Sequence, residues 1–151
     1  MVGIETTVET KNEFLKLYDK LKNKKELNLA IVEDIRAGIM QNFDTESNDG
    51  KSWQALKLST LKNRMRKKRP YPTYKMLQIN PTTGLKGSIQ TQADENGGQI
   101  YTSKIYARAL HYGNARRKLP ARPFMTITRN AAAHAKITFK KWLEEKKNEV
   151  F

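Results

Sequence analysis

Tyr106 to Phe124 reads YARALHYGNARRKLPARPF, and its punctuation decides how the chain is folded around it. Tyr106 to Leu110 holds no breaker and suits a short helical turn, which Gly113 stops by taking positive φ. Asn114 to Leu119 follows as a basic loop carrying Arg116, Arg117 and Lys118. Pro120 and Pro123 stiffen the crossing around Arg122, because each ring fixes φ and restrains the residue before it. Phe124 to Ile127 is expected as a short strand with Phe124 turned inward. Tyr106 and His111 are close enough in sequence to be expected on one side of the turn. Arg122 is placed for a fixed ion pair or for capping carbonyls, holding the fold or contacting a partner. The whole stretch lacks a carboxylate.

On the C-terminal side, Thr128 can cap a helix over 129–147, with Ala132, Ala135, Phe139, Trp142 and Leu143 facing inward. On the N-terminal side, Ile89, Thr91 and Ala93 alternate with Gln90 and Gln92, which predicts a strand. Asp94-Glu95-Asn96-Gly97-Gly98 is a hairpin turn whose glycines are free to take positive φ, and Ile100 and Thr102 begin the return. Gly84 lets the chain turn before that strand. Ser59 or Thr60 is expected to cap a short helix reaching about Lys67, ended by Arg69-Pro70-Tyr71-Pro72 in a basic loop. Trp53 and Leu56 anchor the polar loop Thr45 to Gly50. Leu27, Ile31, Ile35, Ile39 and Phe43 recur every fourth residue and predict a helix over about 26–42, with Gly38 marking close packing. Phe14, Leu17, Tyr18 and Leu21 predict another over 11–25, separate from it or one bent helix with it. Residues 1–151 are expected to form one α+β domain: N-terminal helices over 11–43, a small, mostly antiparallel sheet, and a closing C-terminal helix.

Charge divides the chain. Residues 1–49 hold 7 basic and 10 acidic side chains, residues 50–143 hold 20 basic and 2 acidic, and the net charge is +14. Lys62, Arg64, Arg66, Lys67, Lys68 and Arg69 place six cations in eight residues, and Arg116, Arg117 and Lys118 form a second cluster. Such a field attracts polyanions or an acidic protein surface, or serves only as a soluble face. Tyr71 and Tyr74 beside the first cluster could stack on bases. No helix-turn-helix, zinc-finger or RNP signature accompanies them.

The same pattern argues against catalysis. Acid–base and metal-assisted hydrolysis need placed carboxylates or histidines. Between Gly50 and Leu143 the only acids are Asp94 and Glu95, at a hairpin tip, and the only histidines are His111 and His134. No catalytic, cofactor-binding or metal site is expected. Cysteine is absent, so disulfides and thiolate sites are excluded. No secretory leader and no run of about 18 apolar residues appears, so no membrane association is expected.

Four ordered elements carry a resemblance. Phe43 precedes Asp49-Gly50, Trp53, Leu56 and Thr60. Thr83-Gly84-Leu85-Lys86-Gly87-Ser88-Ile89 follows, then Tyr106-Ala107-Arg108-Ala109-Leu110-His111-Tyr112-Gly113, then Leu119-Pro120-Ala121-Arg122-Pro123-Phe124. Over about residues 43–127 this resembles the phage virion morphogenesis family, which includes tail completion proteins. The basic, proline-rich connection from Arg66 to Lys75 and Tyr112 after His111 depart from the family pattern. The resemblance implies a structural assembly protein rather than an enzyme, acting in tail completion or head–tail joining. It further implies a homo-oligomeric ring, hexameric by analogy, located at the head–tail junction of the virion after assembly in the bacterial cytoplasm. Its partners would be tail and head-connector proteins, with nonspecific contact to packaged DNA through the basic clusters. Trp53, Gly84, Tyr106, His111, Gly113, Arg122 and Phe124 are then structural candidates. A nonspecific basic nucleic-acid-binding protein is the alternative.

Overall fold

The structure is a computed structural model and describes residues 15–67, 74–80 and 82–149. The described residues 15–22 form α1. The chain breaks at Asn23 and Lys24, so the N-terminal helices are two rather than one bent helix; residues 11–14 of the expected first helix lie outside the described residues. The second helix, α2, runs Lys25–Thr45 and ends when Glu46 turns left-handed at φ 52°. Its buried residues are Leu27, Val32, Gly38, Ile39, Asn42 and Phe43. They form more than the single expected stripe because α2 packs on the C-terminal helix and on a β-hairpin.

The polar loop after α2 is a hairpin, not irregular chain. Strands β1 (Ser47–Asn48) and β2 (Lys51–Ser52) pair antiparallel around Asp49 and Gly50, at φ 48° and 86°. Two successive positive φ angles match the right-handed twist of the flanking strands, which is why Asp-Gly sits there. Helix α3 covers Leu58–Arg66. Its N-cap is Lys57, with no side-chain cap, so Ser59 and Thr60 lie inside the first turn instead of capping it.

A 3₁₀ turn at Lys86–Ser88 leads into β3 (Ile89–Ala93), which pairs antiparallel with β4 (Gly98–Thr102) from Ile89↔Thr102 to Ala93↔Gly98. The turn does not use positive φ at Gly97 or Gly98. Asp94 closes it with its side chain, Oδ1 accepting from the Asn96 and Gly97 amides at 2.8 and 2.9 Å. Among the described residues the sheet content is thus two small antiparallel hairpins, an α+β arrangement.

Helix α4 is Ala107–Tyr112. Helix α5 is Arg129–Asn148, capped by Thr128, whose Oγ1 accepts from the Ala131 amide at 3.1 Å. It crosses α2 at Gly38, where an added Cβ would lie 2.6 Å from Ala131 Cβ. Phe139 and Leu143 remain about half exposed over the shallow cleft that α5 forms with α1 and α2.

The core joins Ile39, Phe43, Trp53, Met76, Leu85, Ile89, Ala107 and Phe124. Phe43 and Phe124 are fully enclosed, their rings 5.3 Å apart, and Trp53 meets Phe43 edge-on at 6.0 Å. Each such ring contributes roughly 1.5–3 kcal/mol through burial, so the elements that supply them are held at fixed relative positions.

Candidate interaction surface

The segment 122–129 is stitched to 42–54 by side chains. Asn42 Nδ2 donates to the Phe124 carbonyl at 3.1 Å, and Trp53 Nε1 donates to the Pro123 carbonyl at 3.2 Å. Thr126 Oγ1 donates to Asn48 Oδ1 at 2.6 Å. With those groups engaged by side chains, residues 124–127 run without a strand partner, contrary to the strand expected there. Arg122 lies 5% exposed and directs Nε and Nη2 onto the Gln54 carbonyl at 3.1 and 2.9 Å. It therefore caps a carbonyl. Burial first, and the Arg64 guanidinium second, lower its pKa, with Glu46 opposing.

At the hairpin tip, Asp49 accepts from the Arg129 amide at 3.2 Å and from Arg129 Nε at 2.8 Å. Those bonds hold the Asp49 carboxyl below its ordinary range. Neither this clamp nor the Asn42 bond has a local signature in the sequence that names its partner. Asn42 is a polar residue beside an apolar stripe, which was the available signal.

Gly113 has φ 78°, and a side chain there would press on the Leu119 carbonyl and the Ala121 amide at 2.9 and 2.8 Å. After it, Asn114 and Leu119 exchange backbone hydrogen bonds, while Asn114 Oδ1 accepts from the Arg117 amide at 3.1 Å. The loop is thus closed on itself and presents Arg116, Arg117 and Lys118 from a defined frame, Lys118 at φ 50°. Gly84 sits where the chain folds back, its amide donating to the Asn80 carbonyl at 2.9 Å.

Tyr106 and His111 do not share a side of α4. Tyr106, the N-cap residue, borders a cavity with Ile79, Leu85 and Leu119. His111 borders another with Ile105, Phe124 and Met125. A spacing of five residues places them on different faces of a helix with 3.6 residues per turn. His111 packs edge-on against Phe124 at 5.2 Å, and its Nδ1 accepts from the Met125 amide at 3.4 Å. Burial lowers its pKa.

Of the first basic cluster, Lys62, Arg66 and Lys67 are exposed on and just after α3, while Lys68 and Arg69 lie outside the described residues. Arg64 turns inward, Nη1 donating to the Lys75 carbonyl at 2.9 Å. It borders a cleft of about 340 Å³ with Arg117, Lys118 and Arg122, so the fold brings one member of the first cluster to the second. None of the ion pairs among the described residues involves Lys62, Arg66, Lys67, Arg116, Arg117 or Lys118. Among the described residues no group of His, Asp and Glu is arranged to hold a metal, and no helix is long and apolar enough to cross a membrane.

No curated protein and no solved structure matches the chain. The model of the phage virion morphogenesis family matches residues 6–144, spanning all four sequence elements and the core they build. The chain belongs to the phage virion morphogenesis family, and its role lies in the assembly of a phage particle.

Proposed function

We propose that the protein is a structural subunit that completes the tail or joins it to the head, working as a closed ring at the head–tail junction. The observation that carries this reading is where the family elements lie. Phe43, Trp53, Leu85, Ile89, Ala107 and Phe124 are all core residues, while the surface they support presents cations from a rigid loop. A family pattern spent on shape, with a charged exterior, suits a part that docks. Six copies is the expected ring. A head-to-tail contact between identical subunits closes into a ring whenever its rotation divides a full turn.

The test is removal of the chain from a producing phage. Filled heads and separate tails in electron micrographs are expected, with joining restored by the purified protein. Normally joined, infectious particles without it would overturn the reading. Light scattering on the purified protein checks the ring.

The exposed Lys62, Arg66 and Lys67 favour one further reading, nonspecific contact with packaged DNA. Phosphate contacts release counterions, so duplex binding should weaken steeply as salt rises. Binding that is absent at low salt, or insensitive to salt, would remove this reading.

A further inference from the structure

Two cavities meet along one side of α4. One, about 450 Å³, is apolar and is bordered by Ile79, Leu85 and Tyr106. The other, about 340 Å³, is bordered by Arg64, Lys118 and Arg122. Both are also bordered by Leu77, Leu110, Arg117 and Leu119, so they form one groove with an apolar half and a cationic half. No carboxylate is among the described residues bordering either half. Five of the chain's fifteen acids, Asp19, Glu33, Asp44, Asp49 and Glu149, hold ion pairs away from the groove.

The groove is also held in shape. Leu77, at the junction of the halves, has φ 58°, and Lys118 in the wall has φ 50°. Non-glycine residues in this region each cost on the order of 1–3 kcal/mol and persist only where the surroundings impose them. The walls are thus preorganised, which limits the ordering cost of docking.

We propose that this groove receives an acidic peptide segment of a partner protein, an apolar side chain entering between Ile79, Tyr106 and Leu119 while adjacent carboxylates meet Arg117 and Lys118. The proposal rests on the assembly reading for its biological setting. Its chemistry rests on the pairing of the two halves. A phosphodiester backbone satisfies only the cationic half and has nothing apolar to bury against Ile79 and Tyr106. An acidic segment with one large apolar residue satisfies both halves. It also supplies the missing negative charge, with Arg117 and Lys118 at the rim, where charge sets encounter and register.

The experiment uses the full chain and a fluorescent synthetic peptide carrying one Phe flanked by Asp and Glu, with anisotropy as the readout. Binding is expected, and replacing the peptide's Phe by Ala should weaken it about tenfold or more. The double variant R117E/K118E, at exposed positions, should weaken it at least about tenfold with an unchanged circular dichroism spectrum. Tyr106 makes no side-chain cap on α4, and Tyr106→Ser puts a favoured N-cap residue there, so it should weaken binding through the apolar half alone. Equal binding of the Phe and Ala peptides, or no effect of R117E/K118E, would overturn the proposal. So would displacement of the peptide by single-stranded or duplex DNA that binds more tightly through the same residues, which would make the groove a nucleic-acid site. If the chain is required for head–tail joining and the peptide does not bind, only the groove proposal falls. If the peptide binds and the chain proves dispensable for joining, only the assembly reading falls.

Discussion

Arg122 is the residue on which the crossing after α4 turns. It reaches across the chain to one carbonyl, that of Gln54, with two donors of a planar fork. Arg122→Met keeps the aliphatic stem and removes both donors, leaving a partly buried carbonyl without its charged partner. A loss of about 2 kcal/mol is expected in urea denaturation. Arg122→Lys should recover only part, because an ammonium on a flexible stem does not reproduce the fork. An unchanged midpoint for Arg122→Met would show that the contact contributes nothing to stability.

His111 makes a pH prediction at the same scale. Burial places its folded pKa below that of the unfolded chain, so unfolding takes up a proton. The stability it contributes is complete above the unfolded value of about 6.5 and declines as pH falls through that value toward the lower folded one. The urea midpoint should therefore drop from about pH 7.5 to about pH 5, the range in which imidazole titrates. The His111→Gln variant should show a flatter profile over that range. Identical profiles for the two proteins would remove His111 as the cause.

Among the elements, α2 and α5 depend on one close approach. Gly38 in an open helix would cost roughly 1 kcal/mol against Ala. Here the missing Cβ is what lets Ala131 sit against the α2 backbone. Gly38→Ala should therefore destabilise, by about 1–3 kcal/mol from overpacking, despite its better helix propensity. Adding Ala131→Gly should recover most of that loss. The double-mutant cycle in chemical denaturation reads the coupling directly; independent, additive effects would contradict the contact.

The same elements show what was legible in the sequence. The long apolar period of α2, the alternation of Ile89 to Ala93 and the Thr128 cap could be read because each is a local pattern repeated along the chain. Gly38 was readable as a packing site because glycine is costly inside a helix without a reason. The Ser47–Ser52 hairpin was missed because strands of two residues carry no alternation, though Asp49-Gly50 named its turn. Phe124 to Ile127 looked like a strand by composition. Its Phe124 and Thr126 carbonyls accept from the side chain of Asn42, 82 and 84 positions away in sequence, and no local pattern encodes that. Tyr106 and His111 are near neighbours in sequence, but helical geometry separates them. The groove could not be read at all, since its halves are assembled from residues around 54–64, 77–85 and 106–122.

At the scale of the whole molecule, charge is the governing quantity. A net charge of +14 on 151 residues opposes compaction by self-repulsion. Raising salt toward about 1 M, where the Debye length is about 3 Å, should screen that repulsion and raise the thermal midpoint by a few degrees. The ion pairs Lys86–Asp44 and Arg129–Asp49 will be weakened by the same salt. Asp44, Asp49 and Arg129 are exposed, so these pairs are the smaller effect. A midpoint that falls with salt would place the balance on the pairs instead. The charge is also arranged to be met from outside, because the cations of α3 and of the 114–119 loop lie away from the paired carboxylates.

The stitching of residues 122–129 onto 42–54 has a consequence for timing. A chain emerging from the ribosome exposes α2 and the Trp53 region long before Phe124 follows, and long-range closure of this kind is slow to form. Until then Phe43 lacks the ring that covers it, and the loop at 114–119 has no crossing behind it. The groove proposed to receive a partner segment is therefore among the last features to mature. An unfinished chain has not yet built that groove, so the contact proposed for it begins only after Phe124 has been made.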